Sequence, residues 1–131
     1  YNVANQRNSY DESIKLWDLR SLRQPTAQHQ LGGGVWRIRR VHNSLLKGTE
    51  NTGEKDLVLA AGCASNHFKL LRLTADQALH QLAEHRHTDL QVTQQDTLAY
   101  GIDWCRAVPD LYVTCSFYDK IYSVWTAASE E

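Results

Sequence analysis

The stretch SYDESIKLWDLR, residues 9 to 20, is a polar turn that runs into an alternating segment and stops on Trp-Asp. Apolar side chains at Ile14 and Leu16, with polar neighbours between them, give the period of two that marks a half-buried strand. The design returns near the other end of the chain. Laid without gaps over FYDKIYSVWT (117–126), it puts Asp11 on Asp119, Ile14 on Tyr122, Leu16 on Val124 and Trp17 on Trp125. A weaker middle copy, SNHFKLLR (65–72), puts Phe68 on Ile14, Leu70 on Leu16 and Leu71 on Trp17. Ile14, Phe68 and Tyr122 thus follow one another at a constant interval of 54 residues. A fixed period of this kind marks an array of units, each burying its apolar face against the next.

The segments ahead of these copies repeat as well. GVWRIRRV (34–41) and AYGIDWCR (99–106) are short strands that open on an aromatic, Trp36 or Tyr100. Each leads through a polar connection to an apolar strand, DLVLAAGC (56–63) or DLYVTCS (110–116). The order per unit is strand, loop, strand, tight turn, strand, then a more polar fourth strand. Four antiparallel strands ending on Trp-Asp are the mark of a WD40-type β-propeller blade, whose usual period is about 40–45 residues. The excess falls in NSLLKGTENTGEKD (43–56) and QLAEHRHTDLQVTQQDT (81–97), both hydrophilic and expected as surface loops. The expected fold is all-β, a partial propeller over 1–131: the end of one blade over 1–20, a blade over 34–85 and a closing blade over 98–126. Propellers close with roughly four or more blades, so the chain reads as the C-terminal piece of a longer protein, inactive by itself.

Composition narrows the classes of function. A net charge of −1 argues against binding a nucleic-acid backbone, which needs a clustered basic face. The cluster Arg37, Arg39 and Arg40 on one strand reads as a solvated edge or a contact for an anion or acidic partner. No apolar run is long enough to span a bilayer, and no signal-peptide pattern appears. Cys63, Cys105 and Cys115 lie in or beside apolar strands, an odd set that suits buried thiols in the cytoplasm.

Candidate chemistry is sparse. There is no G-x-S-x-G elbow and no zinc-binding spacing, so neither metal nor cofactor is expected. His85 and His87 read as part of an exposed polar loop. Gly32, Gly33 and Gly34 let the backbone bend into the innermost strand, or present bare amides at the propeller mouth. Asp11 and Asp119 fit the tight turns, where an aspartate caps backbone amides. Cys63 and Cys115 serve as small core fillers, and Trp17 and Trp125 as packing between blades. Trp36 and Tyr100 open the innermost strands, where an aromatic fills space or touches a partner.

The combination of SYDESIKLWDLR, GGVWR (32–37 with its extra glycine), LAAGCASNHFKLL (59–71), Tyr100-Gly101-Ile102-Asp103-Trp104 and CSFYD (115–119) resembles the diphthine methylesterase family over most of the chain. Arg40 stands where that family usually has an aromatic. The resemblance implies hydrolysis of the methyl ester of methylated diphthine on translation elongation factor 2, late in diphthamide biosynthesis. On that reading His67 is the general base, and Gly33, Gly34, Trp36, Tyr100 and Tyr118 contact the substrate. The rival expectation is an interaction module without chemistry. Trp17-Asp18-Leu19-Arg20 matches the W-D-x-R pattern of cullin-RING ligase substrate receptors, which would make a ligase adaptor the partner.

Overall fold

Alternating strands of this kind pair with their sequence neighbours, and the short turns between them leave antiparallel meanders as the simplest outcome. A computed structural model of the protein describes residues 11–41, 57–64, 67–87 and 98–127. Among the described residues there are three such meanders and no helix. The first sheet pairs β1 (Ser13–Leu16) with β2 (Ala27–Gln30). The second runs β3 (Val35–Val41), β4 (Leu57–Cys63), β5 (His67–Leu73), β6 (Leu79–Arg86), each beside the next. The third is β7 (Ala99–Trp104), β8 (Leu111–Ser116), β9 (Tyr122–Thr126). β1, β5 and β9 hold the three repeat copies, each paired to its neighbours as a blade's third strand would be.

The sheets stack face to face. Ile14 and Leu16 of the first sheet pack with Leu59, Ala61, Cys63 and Leu71 of the second. The opposite face of the second sheet, Val58, Ala60, Phe68 and Leu70, packs with Ala99, Ile102 and Tyr112 of the third. β4 is therefore covered on both sides, and every one of its residues is buried. That double burial is why LVLAAGC is apolar throughout instead of alternating. Leu71 and Trp125, equivalent in the repeat, both face the preceding sheet across these two interfaces.

The turns repeat with the strands. Glu12 and Lys120 occupy equivalent positions after Asp11 and Asp119, and both adopt positive φ, 60° and 55°. Asp11 accepts a hydrogen bond from the Ser13 amide at 3.2 Å, the turn-capping role expected of it. Asp119 differs, since it accepts from the Ser116 hydroxyl.

Three expectations need correction. The polar stretch from Gln81 to Arg86 is strand, not loop, because Ala83 and His85 alternate inward against the third sheet; residues 88–97 lie outside the described ones. Cys115 is exposed, not a core filler, since it belongs to the face of the third sheet that no other sheet covers. The first sheet continues to Gln30: β2 is too polar (AQHQ) to show as a strand, with only Ala27 and His29 half-buried.

On that uncovered face Tyr122 and Val124 are 76% and 61% exposed, whereas Phe68, at the repeat position of Tyr122, is fully buried. In the 131-residue chain, Phe68→Ala should cost about 3–5 kcal/mol, as large-to-small core changes do. Tyr122→Ala should stay within about 0.5 kcal/mol, as exposed sites do. Urea denaturation of the two variants checks the contrast.

Candidate functional site

Each innermost strand begins with an irregularity. In β3 the pairing passes from Val35↔Cys63 to Arg37↔Gly62, which makes Trp36 the extra residue of the strand. β7 does the same, from Ala99↔Ser116 to Gly101↔Cys115, with Tyr100 as the extra residue. These are β-bulges, which re-aim one side chain out of the in-and-out alternation. The two strands also lie in register with each other. Arg39 pairs with Asp103 at 3.0 Å, and the Trp104 indole Nε1 donates to the Arg40 carbonyl at 3.0 Å.

Backbone contacts tie the residues at this end together. The Ala64 amide donates to the Gly34 carbonyl at 2.6 Å, Ala64 bridges to Leu98, and the Phe117 amide donates to the Leu98 carbonyl at 3.1 Å. Gly32 bends the chain here at a φ of 76°, and a Cβ on Gly33 would collide with the Ala64 carbonyl oxygen. Phe117 joins the two tyrosines expected at the site: its ring lies 5.7 Å from Tyr100 and 5.2 Å, edge to face, from Tyr118. Sequence reasoning did not single out Phe117, although it stands between Ser116 and Tyr118 in the CSFYD motif.

His67 opens β5 directly opposite Cys63 on one side and Arg86 on the other. Its Nδ1 faces a Glu84 carboxylate oxygen at 3.6 Å, an ion-pair distance beyond hydrogen-bond reach. Glu84 is also held by Arg86 at 2.5 Å and Lys69 at 3.5 Å. Burial lowers the affinity of His67 for a proton, and the Arg86 charge adds to this against the opposing pull of Glu84. The imidazole is therefore neutral at pH 7. Burial pushes Glu84 the other way, but the Arg86 hydrogen bond and the nearby cations outweigh it and keep the carboxylate ionised. Cys63, beside His67, has its thiol pushed up to about 11 by burial, which removes it as a nucleophile.

A second cluster of histidines lies between the second and third sheets. His87 is 7% exposed and sits among the hydroxyls of Ser116, Thr114 and Ser123 at 3.2, 2.9 and 2.9 Å. His85 bonds Ser123 at 2.9 Å and stacks on the Trp125 indole at 4.6 Å between ring centres. The exposed polar loop expected around these two residues is thus a buried seam. The signal was available: Ala83, His85 and His87 fall on alternate positions of one strand face. Serine, histidine and aspartate meet here, with Thr114 and Ser116 buried between the sheets. The arrangement is structural.

The W-D-x-R stretch lies at the opposite end of the sheets. Trp17, Asp18 and Arg20 line a cavity of about 390 Å³ together with Gln77. Arg20 grips Asp18 through both carboxylate oxygens, which draws that carboxyl down to about 2. Among the described residues no three metal-binding side chains converge, and no helix is long and apolar enough to cross a membrane.

Stacked antiparallel sheets of two, four and three strands, with aromatic bulges at the mouths of β3 and β7, define part of a WD40-type β-propeller. Over most of its length the chain is similar to proteins of the diphthine methyltransferase family. It is 31% identical to "Diphthine methyltransferase homolog" of Dictyostelium discoideum, across 89% of this chain and 30% of that protein. It is 36% identical to "Diphthine methyltransferase" of Homo sapiens and 34% identical to that of Mus musculus, each across 73% of this chain. Those matches cover 18% and 17% of the human and mouse proteins, so the chain spans less than a third of the curated relatives. No protein-family model and no solved structure matches it.

The buried histidines make stability depend on pH. Burial is the leading cause that lowers the pKa of both His85 and His87. In the unfolded chain both bind a proton near their ordinary value of about 6.5. Below it the unfolded state takes up more protons than the folded one, so the stabilisation present above about pH 6.5 is lost as the folded histidines titrate. The melting temperature should fall between pH 7 and 5, and His87→Asn should reduce that slope; scanning calorimetry checks both.

Proposed function

We propose that the chain is part of a cytoplasmic enzyme that hydrolyses the methyl ester of methylated diphthine on translation elongation factor 2. The relatives' names, which join diphthine with a methyl group, support this reading; with water as the acceptor, removal of the methyl group is an ester hydrolysis. Diphthine is built on a histidine of that factor and carries a carboxyl group, which the methyl ester caps. Removing the methyl ester frees that carboxylate for the amidation that completes diphthamide.

The observation that carries this reading is the neutral imidazole of His67 held against Glu84, at the same end of the second sheet as the Gly33–Gly34 bend. A base oriented by a carboxylate is the common device for activating a nucleophile, and such contacts are often long before substrate arrives. His67 takes a proton from water while the oxygen adds to the ester carbonyl. Glu84 steadies the imidazolium. The tetrahedral oxyanion accepts hydrogen bonds from amides of the glycine bend. Collapse expels the methoxy group, which leaves as methanol with the proton returned by His67.

A second reading rests on the cavity at the other end. The Arg20 side chain is 87% exposed beside Trp17 and suits capture by a ligase adaptor. It is compatible with catalysis, since the two ends do not share residues.

With elongation factor 2 carrying the methyl ester, the modified peptide should become lighter by one methylene unit, and methanol should appear. His67→Ala should slow this about 10²–10⁴-fold, the usual contribution of a general base. The rate should fall with acid only below the ordinary imidazole range, because burial lowers the pKa of His67. Unchanged methanol release in His67→Ala would remove this residue from the mechanism. Adaptor capture lost in Arg20→Ala, with hydrolysis intact, would assign the second role.

A further inference from the structure

The pairing of β5 with β6 gathers three basic side chains around one carboxylate. His67 stands directly opposite Arg86, and Lys69 directly opposite Glu84. Side chains that face each other in this way have Cβ atoms about 5 Å apart, and diagonal neighbours about 7–8 Å, within reach of long side chains. Glu84 is thus diagonal to His67 and two residues from Arg86 on its own strand. Among the described residues it is the one carboxylate within ion-pair distance of all three bases. Its oxygens are shared unequally. Lys69 Nζ lies 3.5 Å from Oε2, whereas Oε1 is approached by both Arg86 Nε at 2.5 Å and His67 Nδ1 at 3.6 Å. The arginine contact is a hydrogen bond and the histidine contact is too long to be one. His67 Nδ1 is buried, and it has no hydrogen-bond partner among the described residues.

A charged donor prevails over a neutral one at a carboxylate, because the hydrogen bond between ions is roughly twice as strong. While the imidazole is neutral, Arg86 therefore keeps Oε1. Exposure separates the partners further. The side chains of Lys69 and His67 are 12% and 15% exposed, but that of Arg86 is 47% exposed, so it alone can swing into water without disturbing the sheet. Two other titratable groups lie on the neighbouring strands. Cys63 is opposite His67 on β4, with its thiol kept neutral by burial, and the half-buried His29 is on β2, which lies against β6. Neither carries a negative charge, so the support of a proton on His67 falls to Glu84.

We infer that Arg86 is a positioning residue for the His67 base: its guanidinium occupies the Glu84 oxygen to which the imidazole Nδ1–H would donate, and His67 joins Glu84 only when Arg86 lets go. The tautomer of a histidine follows the hydrogen bond that its other nitrogen makes. With Oε1 taken by Arg86, nothing holds the ring proton on Nδ1. Once Oε1 is free, Nδ1–H donates to it and Nε2 is left with the lone pair that accepts a proton. The imidazolium then has an ionised partner in contact. Arg86 is thus a restraint on the base, set by the register of two strands. The inference rests on the hydrolysis reading for its meaning, because only there does His67 take a proton from water.

The test reads His67 directly. The intact protein, with its histidine rings labelled with nitrogen-15, is titrated by NMR, which reports both the midpoint and the tautomer of His67. Arg86→Gln should raise the midpoint by about one pH unit, a tenfold gain in proton affinity, and should move the ring proton to Nδ1. The acid limb of methanol release should rise with it. Arg86→Lys, which keeps a cation that can hold the oxygen, should restore the original midpoint. In Arg86→Gln combined with Glu84→Met the change of tautomer should vanish, since no carboxylate remains to accept Nδ1–H. An unchanged midpoint and tautomer in Arg86→Gln would overturn the inference. So would the same change of tautomer without Glu84, or a rise in Arg86→Lys equal to that in Arg86→Gln, which would trace the effect to a disturbed strand. A melting curve for each variant separates misfolding from loss of the contact. The expected NMR shifts, with methanol release unaffected by His67→Ala, would leave the Arg86 contact standing and overturn the hydrolysis by His67. Methanol release lost in His67→Ala, with no NMR change in Arg86→Gln, would do the reverse.

Discussion

Everything else in this structure depends on sheets that bury one another's faces. Phe68 and Leu70 seal the second sheet onto Ala99, Ile102 and Tyr112 of the third, as Ile14 and Leu16 seal the first onto the second. Alone, the second sheet would expose two apolar faces to water. Stacking covers both at once, one against the first sheet and one against the third. It also brings the innermost strands close enough for Arg39 to reach Asp103 and for the Trp104 indole to reach the Arg40 carbonyl. The register of the mouth is therefore a product of the core. Residues that touch no ligand decide which side chains meet there.

The fold was legible because the same burial recurs in each unit. Ile14, Phe68 and Tyr122 keep a constant spacing, and positive φ at Glu12 and Lys120 shows that even the turn geometry follows it. Strands whose pattern is set by one face alone were harder to see. AQHQ is a strand because β1 offers it hydrogen bonds, and its own side chains bury little. His85 and His87 were obscured by their polarity: a histidine on an inward face looks like loop until the hydroxyls of Thr114, Ser116 and Ser123 are known to face it.

The candidate site was legible only in its residue types. Gly33, Gly34, Trp36, His67, Tyr100 and Tyr118 all fall at one end of the sheets, and that much follows from their places beside the tight turns and strand starts. The partner of His67 was not readable. Glu84 sits on the next strand, and it comes opposite Lys69 only because β6 is bulged against β5 between Leu70 and Leu71.

The irregular openings of β3 and β7 have an evolutionary reading. A residue inside a regular strand is bound by its neighbours to point toward one blade or the other, and exchanging it disturbs the core. A residue at the extra position is released from that alternation. Trp36 and Tyr100 are thus sites at which this architecture can change what it recognises while leaving its packing alone, so new specificities have somewhere to arise that costs the scaffold little.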